Sequence, residues 1–142
     1  MRVVLDTSVI VSAFLSPAGT PARILDLLAK QAFELVVSQP ILDEYVRALC
    51  YEKVRARHGM SKTEVDDVIG ALGAASILVA PSEPHHVVER DAADDKFFAC
   101  AVAGEADYIV SGDAGVHAVR EHRGIMVVAP AVFVEIVALA EW

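Results

Sequence analysis

Leu35-Val36-Val37-Ser38-Gln39-Pro40-Ile41-Leu42-Asp43-Glu44-Tyr45-Val46-Arg47-Ala48-Leu49 joins two patterns in one stretch. Leu35 to Val37 is apolar on successive residues, as a strand covered on both faces of a parallel sheet should be. From Pro40 to Tyr51, Ile41, Leu42, Tyr45, Val46 and Leu49 recur at helical intervals, and Pro40 suits a first-turn position because its missing N–H is unneeded there. A buried strand running directly into an amphipathic helix is half of a β-α-β unit. The same pairing recurs along the chain: short apolar runs at Val3 to Leu5, Ile77 to Val79, Tyr108 to Val110 and Ile125 to Val128 alternate with helical patterns. Alternation of this kind predicts an α/β fold with a central parallel sheet of about five strands.

Further helices are expected from Thr7 to Phe14 and from Pro21 to Lys30, and one runs from Lys62 to Ala75 behind Ser61, with Glu64 at capping-box spacing. Asp94 precedes the apolar positions Phe97, Phe98, Ala101 and Val102, with Gly104 as the stop, and a last helix follows Pro130. Pro81 to Arg90 reads as the longest irregular loop. The chain of 142 residues shows no internal repeat, low-complexity tract or linker, so a single domain over 1–142 is expected.

Composition narrows the function. Hydrophobic residues make up 55% and charged residues 23%, too apolar for a disordered chain. The uncharged stretches Ile69 to Ala80 and Gly124 to Val134 span 12 and 11 residues, and no uncharged stretch in the chain reaches the roughly 20 that a transmembrane helix needs. Met1 to Asp6 reaches a carboxylate before any secretory apolar region could form, so a soluble, cytoplasmic protein without a membrane partner is expected. Cys50 and Cys100 stand apart, without metal or redox spacing, and read as reduced, mostly buried thiols. The net charge of −8 argues against whole-surface attraction to nucleic acid. Charge is segregated, however. Arg47, Lys53, Arg55, Arg57 and Lys62 face Glu52 alone, so this segment carries +4 and the remainder −12.

The carboxylates fall in informative places. Asp6 ends the first strand, Asp113 closes the turn after the fourth, Glu44 lies early in the helix after the second, and Asp94 and Asp95 open another helix. Strand ends and the helix starts that follow them share the carboxyl edge of a parallel sheet, where α/β proteins place ligands. Taken singly, each acid has a bland reading: Asp6, Asp94 and Asp95 as helix caps, Asp113 as a turn residue, Glu44 as a solvated helical glutamate. Placed together they would repel one another unless some take up protons or a hard divalent cation neutralises them. Mg2+ or Mn2+ suits such an all-oxygen set, whereas zinc would want histidine or cysteine at ligand spacing. His85 and His86 read as solvated loop residues.

Val4-Leu5-Asp6-Thr7-Ser8-Val9, Ser38 to Glu44, Asp94-Asp95-Lys96-Phe97-Phe98-Ala99-Cys100-Ala101 and Ala106 to Asp113 together resemble the PIN-domain nucleases, in particular the VapC-like branch of toxin components of toxin–antitoxin pairs. The resemblance covers nearly the whole chain. It implies a three-layer α/β/α fold and a Mg2+- or Mn2+-dependent ribonuclease that hydrolyses RNA phosphodiesters through an activated water. It further implies Asp6 and Asp95 as principal metal ligands, Glu44 as the helical acid, Asp113 as a fourth carboxylate acting through water, and Asp94 as a substitute or supporting group. Ser8 and Ser111 stand where the family places small polar residues beside the acids, although many relatives carry asparagine at the Ser8 position, and serine reaches less far.

The +4 segment is the candidate track for the RNA backbone, with Arg47 one turn beyond Glu44, against the plainer reading of a solvated basic loop. Tyr45 shares the apolar stripe of Ile41 and Leu49 and is expected in the core, and Lys96, next to an inward acid, is expected to point to solvent. The apolar surplus predicts a patch for self-association, a dimer foremost, or for an antitoxin segment. Rival readings remain. A receiver domain would carry its acidic pair after the first strand, and a haloacid-dehalogenase-type phosphatase would want aspartate at position 8. A noncatalytic protein that binds RNA or an antitoxin through the same groove would keep the fold without turnover.

Overall fold

The computed structural model describes residues 1–82 and 94–140. The chain alternates as expected. Strand β1 (Arg2–Leu5) leads into α1 (Thr7–Leu15) and α2 (Thr20–Ala29), and β2 (Glu34–Ser38) leads into α3 (Gln39–Leu49), α4 (Glu52–His58) and α5 (Lys62–Ala74). Strand β3 (Ile77–Val79) is followed, beyond the undescribed stretch, by α6 (Asp95–Ala103), β4 (Tyr108–Val110), α7 (Ala114–His117), β5 (Glu121–His122), β6 (Ile125–Val128) and α8 (Pro130–Ala140).

Strand order is β3-β2-β1-β4-β6-β5, with every pairing parallel except that of β5 with β6. The chain builds outward from β1 through β2 to β3, then crosses back to β4 on the other side of β1. Right-handed crossovers put the helices of these two excursions on opposite faces of the sheet, and a three-layer α/β/α sandwich results. Helix α6 lies against β1, β2 and β4, while α1 packs on α2 and α3, and α8 on α2. Val3, Val4, Leu5, Val36, Val37, Ile109 and Val110 are buried, as strands covered on both sides should be, whereas Leu78 of the edge strand β3 and Met126 of β6 are exposed against that expectation.

Local signals explain the helix starts. Pro21 and Pro40 occupy the first turns of α2 and α3. The Ser61 hydroxyl accepts from the Glu64 amide, and Glu64 reaches back to the Ser61 amide, both at 3.1 Å. Tyr45 is fully buried, as its place in the apolar stripe predicts.

Three expectations need correction. Strand β5 went unread because two residues, Glu121 and His122, carry no periodicity. It forms through a tight turn in which Arg123 and Gly124 both take positive φ, 51° and 83°, the geometry of a two-residue hairpin. The basic stretch after Tyr51 is not a loop but the helix α4, which keeps Lys53, Arg55 and Arg57 exposed. Lys96 does not point to solvent; it pairs with Glu44, as described below. Most of the expected irregular loop from Pro81 to Arg90, including His85 and His86, lies outside the described residues.

Candidate active site at the carboxyl edge

Between β1 and β4 the chain's connections leave in opposite directions, which is where open α/β sheets place ligand clefts. Two ladder bonds continue past the strand ends here. The Asp6 amide donates to the Val110 carbonyl at 2.9 Å and the Ser111 amide to the Val128 carbonyl at 3.0 Å. Sheet register, rather than any local preference, therefore brings Asp6 and Ser111 side by side.

Asp6 is only 4% exposed. It occupies the N-cap position of α1 yet makes no side-chain cap bond. Its Oδ2 instead accepts from the Ser8 hydroxyl at 2.8 Å and the Ser111 hydroxyl at 2.6 Å. Each of those hydroxyls accepts in turn from the β4–α7 turn: Ser8 from the Gly112 amide at 3.3 Å, Ser111 from the Asp113 amide at 2.9 Å. Two relays thus run from backbone amides through serines to one carboxylate oxygen. Burial nevertheless pushes the Asp6 carboxyl above its ordinary range, and the charge of nearby Asp113 pushes it further. The two serine hydrogen bonds oppose this without reversing it.

Asp113 is exposed, and its Oδ1 accepts from the Val116 amide at 3.2 Å, so its bland reading as a turn residue holds alongside its electrostatic contact with Asp6. The His117 Nε2–H donates to the Ser111 carbonyl and steadies the same turn. Asp95, the first residue of α6, is 8% exposed, and Asp94 takes the N-cap position without a side-chain cap bond.

Glu44 lies in a second group. The Thr7 hydroxyl donates to its Oε2, and the Lys96 ammonium stands 2.5 Å from its Oε1. Sequence reasoning gave Lys96 to solvent because a neighbour on a helix is turned about 100° from an inward residue. The long stem covers that angle once packing sets α3 against the start of α6. Thr7 had no signal beyond its place after Asp6. The Tyr45 hydroxyl donates to the Leu5 carbonyl beneath the site, and its ionisation is pushed well up by burial and then by the nearby Cys100, Asp6 and Glu44.

The two groups adjoin through the chain, since Thr7 follows Asp6 and Lys96 follows Asp95. As they stand, no three acidic, histidine or cysteine side chains among the described residues are close enough together to hold an ion. The expected single cluster of four carboxylates is not formed among the described residues: Glu44 is drawn instead to Thr7 and Lys96. The donor chemistry still suits a hard divalent cation. It is all oxygen, and a buried carboxylate penalised by desolvation and by a second carboxylate is what such a cation relieves. Arg47, Lys53, Arg55 and Arg57 are exposed on α3 and α4, and Lys62 pairs with Asp66 at 3.8 Å. Cys50 and Cys100 are free thiols, the second fully buried with its ionisation pushed up to about 12.

Comparison with known proteins agrees with this architecture. Residues 2–115 match the PIN domain. An uncharacterized protein of Methanocaldococcus jannaschii, MJ1680, is 30% identical over 123 residues, which cover 87% of this chain and 77% of that protein. With Asp6, Glu44, Asp95 and Asp113 on the elements described above and the match running from β1 to α7, the chain belongs to the PIN-domain family, whose members are generally nucleases.

Proposed function

We propose that this chain is a Mg2+- or Mn2+-dependent endoribonuclease that hydrolyses RNA phosphodiester bonds. The observation that carries this reading is the buried Asp6 carboxylate, tied by Ser8 and Ser111 to the strand-end turn bearing Asp113, at the switch point of the sheet. The serine bonds to Asp6 do not offset the cost of its burial beside Asp113, so a purely structural aspartate there would carry an unrelieved charge. A ligand for a divalent ion would not.

Asp6 and Asp95 would hold the ion, with Asp113 positioned to act through water and Asp94 in support. The ion, when bound, supplies a more acidic water and a counter-charge for the phosphoryl oxygens. In the hydrolysis the water oxygen bonds to phosphorus, the bond from phosphorus to the leaving ribose oxygen breaks, and that oxygen takes a proton. The serine relays fix the Asp6 rotamer, and Asp113 would accept the proton that the attacking water gives up. Arg47 and the exposed cations of α4 would follow the RNA backbone through phosphate contacts, which position the strand without reading its bases.

The finer role, toxin of a toxin–antitoxin pair that forms a homodimer and binds an antitoxin in the cytoplasm, is carried by the resemblance of the four acidic motifs. No single helix among the described residues is long and apolar enough to cross a membrane. Incubation of purified protein with RNA and Mn2+ should give cleavage that chelator abolishes and that Asp6→Asn and Asp95→Asn lack. Wild-type turnover in both variants would refute the assignment. Growth arrest on induction, relieved by co-expression of a neighbouring gene, tests the toxin role.

A further inference from the structure

The ion pair of Lys96 with Glu44 is not a surface pair. The two side chains are 20% and 23% exposed, so the contact is withdrawn from most of the solvent that makes exposed pairs weak. Glu44 has both oxygens engaged, one by this ammonium and one by the Thr7 hydroxyl. It is built as an anchor. The partners come from the two segments that carry the buried acids: Lys96 directly follows Asp95, and Thr7 directly follows Asp6. The ammonium is therefore fixed in the group that adjoins the buried acids along the chain, its charge 5.7 Å from the centre of the Phe97 ring, and a fifth of the side chain still meets solvent. One ammonium proton satisfies Glu44, which leaves donors for a molecule entering the edge.

Charge balance gives this cation a purpose. Asp6, Glu44, Asp95 and Asp113 outweigh a single doubly charged ion, and the excess would repel a phosphodiester. A resident cation offsets part of that excess where phosphoryl charge develops.

We propose that Lys96 is a catalytic residue that contacts a non-bridging oxygen of the scissile phosphate, with Glu44 as the positioning residue that holds its ammonium in place. This rests on the nuclease reading and divides its labour: Asp6 and Asp95 hold the ion, and Lys96, held by Glu44, meets the phosphate.

The test uses the full chain with Lys96→Met, Lys96→Arg and Glu44→Gln. It reads Mn2+ affinity by calorimetry without RNA, RNA affinity in chelator, where cleavage stops, and single-turnover cleavage with Mn2+. Lys96→Met is expected to bind Mn2+ at least as tightly as the unaltered protein and to cleave roughly 100- to 1000-fold more slowly, the usual loss when one donor to developing oxyanion charge is removed. Lys96→Arg should recover much of that rate. Glu44→Gln should keep its Mn2+ affinity while slowing cleavage. Cleavage by Lys96→Met within threefold of the unaltered protein overturns the proposal. So does loss of Mn2+ affinity in Glu44→Gln as severe as in Asp6→Asn, because Glu44 would then be a ligand. If Lys96→Met fails to fold, Lys96→Gln takes its place with the same readouts. If the unaltered protein cleaves no RNA, the nuclease reading fails on its own. Lys96 is then judged on that RNA affinity, where equal affinity in the unaltered protein and Lys96→Met overturns its phosphate contact and weaker affinity in the variant supports it.

Discussion

Replacing Gly104 with alanine should destabilise the protein and loosen the site at the far end of α6. A Cβ at Gly104 would lie 2.3 Å from Cγ1 of Val36, with the Cys100 carbonyl oxygen 3.3 Å away. Real contacts of this kind essentially never fall below 3.0 Å, so at least 0.7 Å must open between the end of α6 and β2. Val36 cannot yield easily: it is fully buried in the middle of the sheet and is β-branched, so its rotamers are few. Overpacking of this type costs about 1–3 kcal/mol. With an unfolding entropy of about 0.3 kcal/mol/K for 142 residues, a mid-range cost of about 2 kcal/mol lowers Tm by roughly 7 °C. Thermal and urea unfolding measure this directly. Val36→Ala removes the offending methyl and costs stability by itself through the cavity it leaves. In the double variant the two losses should fall short of their sum by about 1 kcal/mol, since the clash is gone. An unchanged Tm in Gly104→Ala, or strict additivity in the double variant, refutes the close approach.

Asp6→Asn should be more thermostable than the unaltered protein in chelator at neutral pH. Because the folded-state pKa of Asp6 is raised above 3.8, the unfolded chain gives up this proton first, so its contribution to stability is present below pH 3.8 and lost as pH rises through the folded value. The Tm gap between variant and unaltered protein should therefore widen from pH 4 upward and then level; a gap that narrows with pH contradicts the raised pKa. Tyr45→Phe should cost about 1–3 kcal/mol, since it leaves the buried Leu5 carbonyl without its phenolic donor; urea unfolding that shows no loss would remove that bond from the account. Thiol titration of native protein at pH 8 should find Cys50 reacting and Cys100 silent until unfolding, because burial holds the Cys100 thiol protonated. Two equally fast thiols would contradict its burial.

Much of the fold was legible in residue order. The runs at Val3, Leu35, Ile77, Tyr108 and Ile125 were legible as strands, though not the open face that exposes Leu78 and Met126, and Pro21, Pro40 and the Ser61–Glu64 pair marked their helices, because each of these signals acts within one turn or one strand. The same locality explains the failures. Glu121 and His122 become a strand only through their partner β6, and the helicity of Glu52 to His58 was masked by its charge. Placing Asp6, Glu44, Asp95 and Asp113 at strand ends and helix starts sufficed to assign them to one edge of the sheet.

Residue order by itself determined which carboxylates stand at that edge, since strand-end and helix-start positions follow from periodicity; it did not show Thr7 and Lys96 there. Only the tertiary structure decided how they sort. The register of β1 against β4 and β4 against β6 set Ser111 on Asp6, and the packing of α3 against α6 turned Glu44 to Thr7 and Lys96. Hydrogen bonds and ion pairs act over about 3 Å, whereas Glu44 and Lys96 are 52 positions apart in the chain, so nothing short of the folded backbone could bring them to that distance.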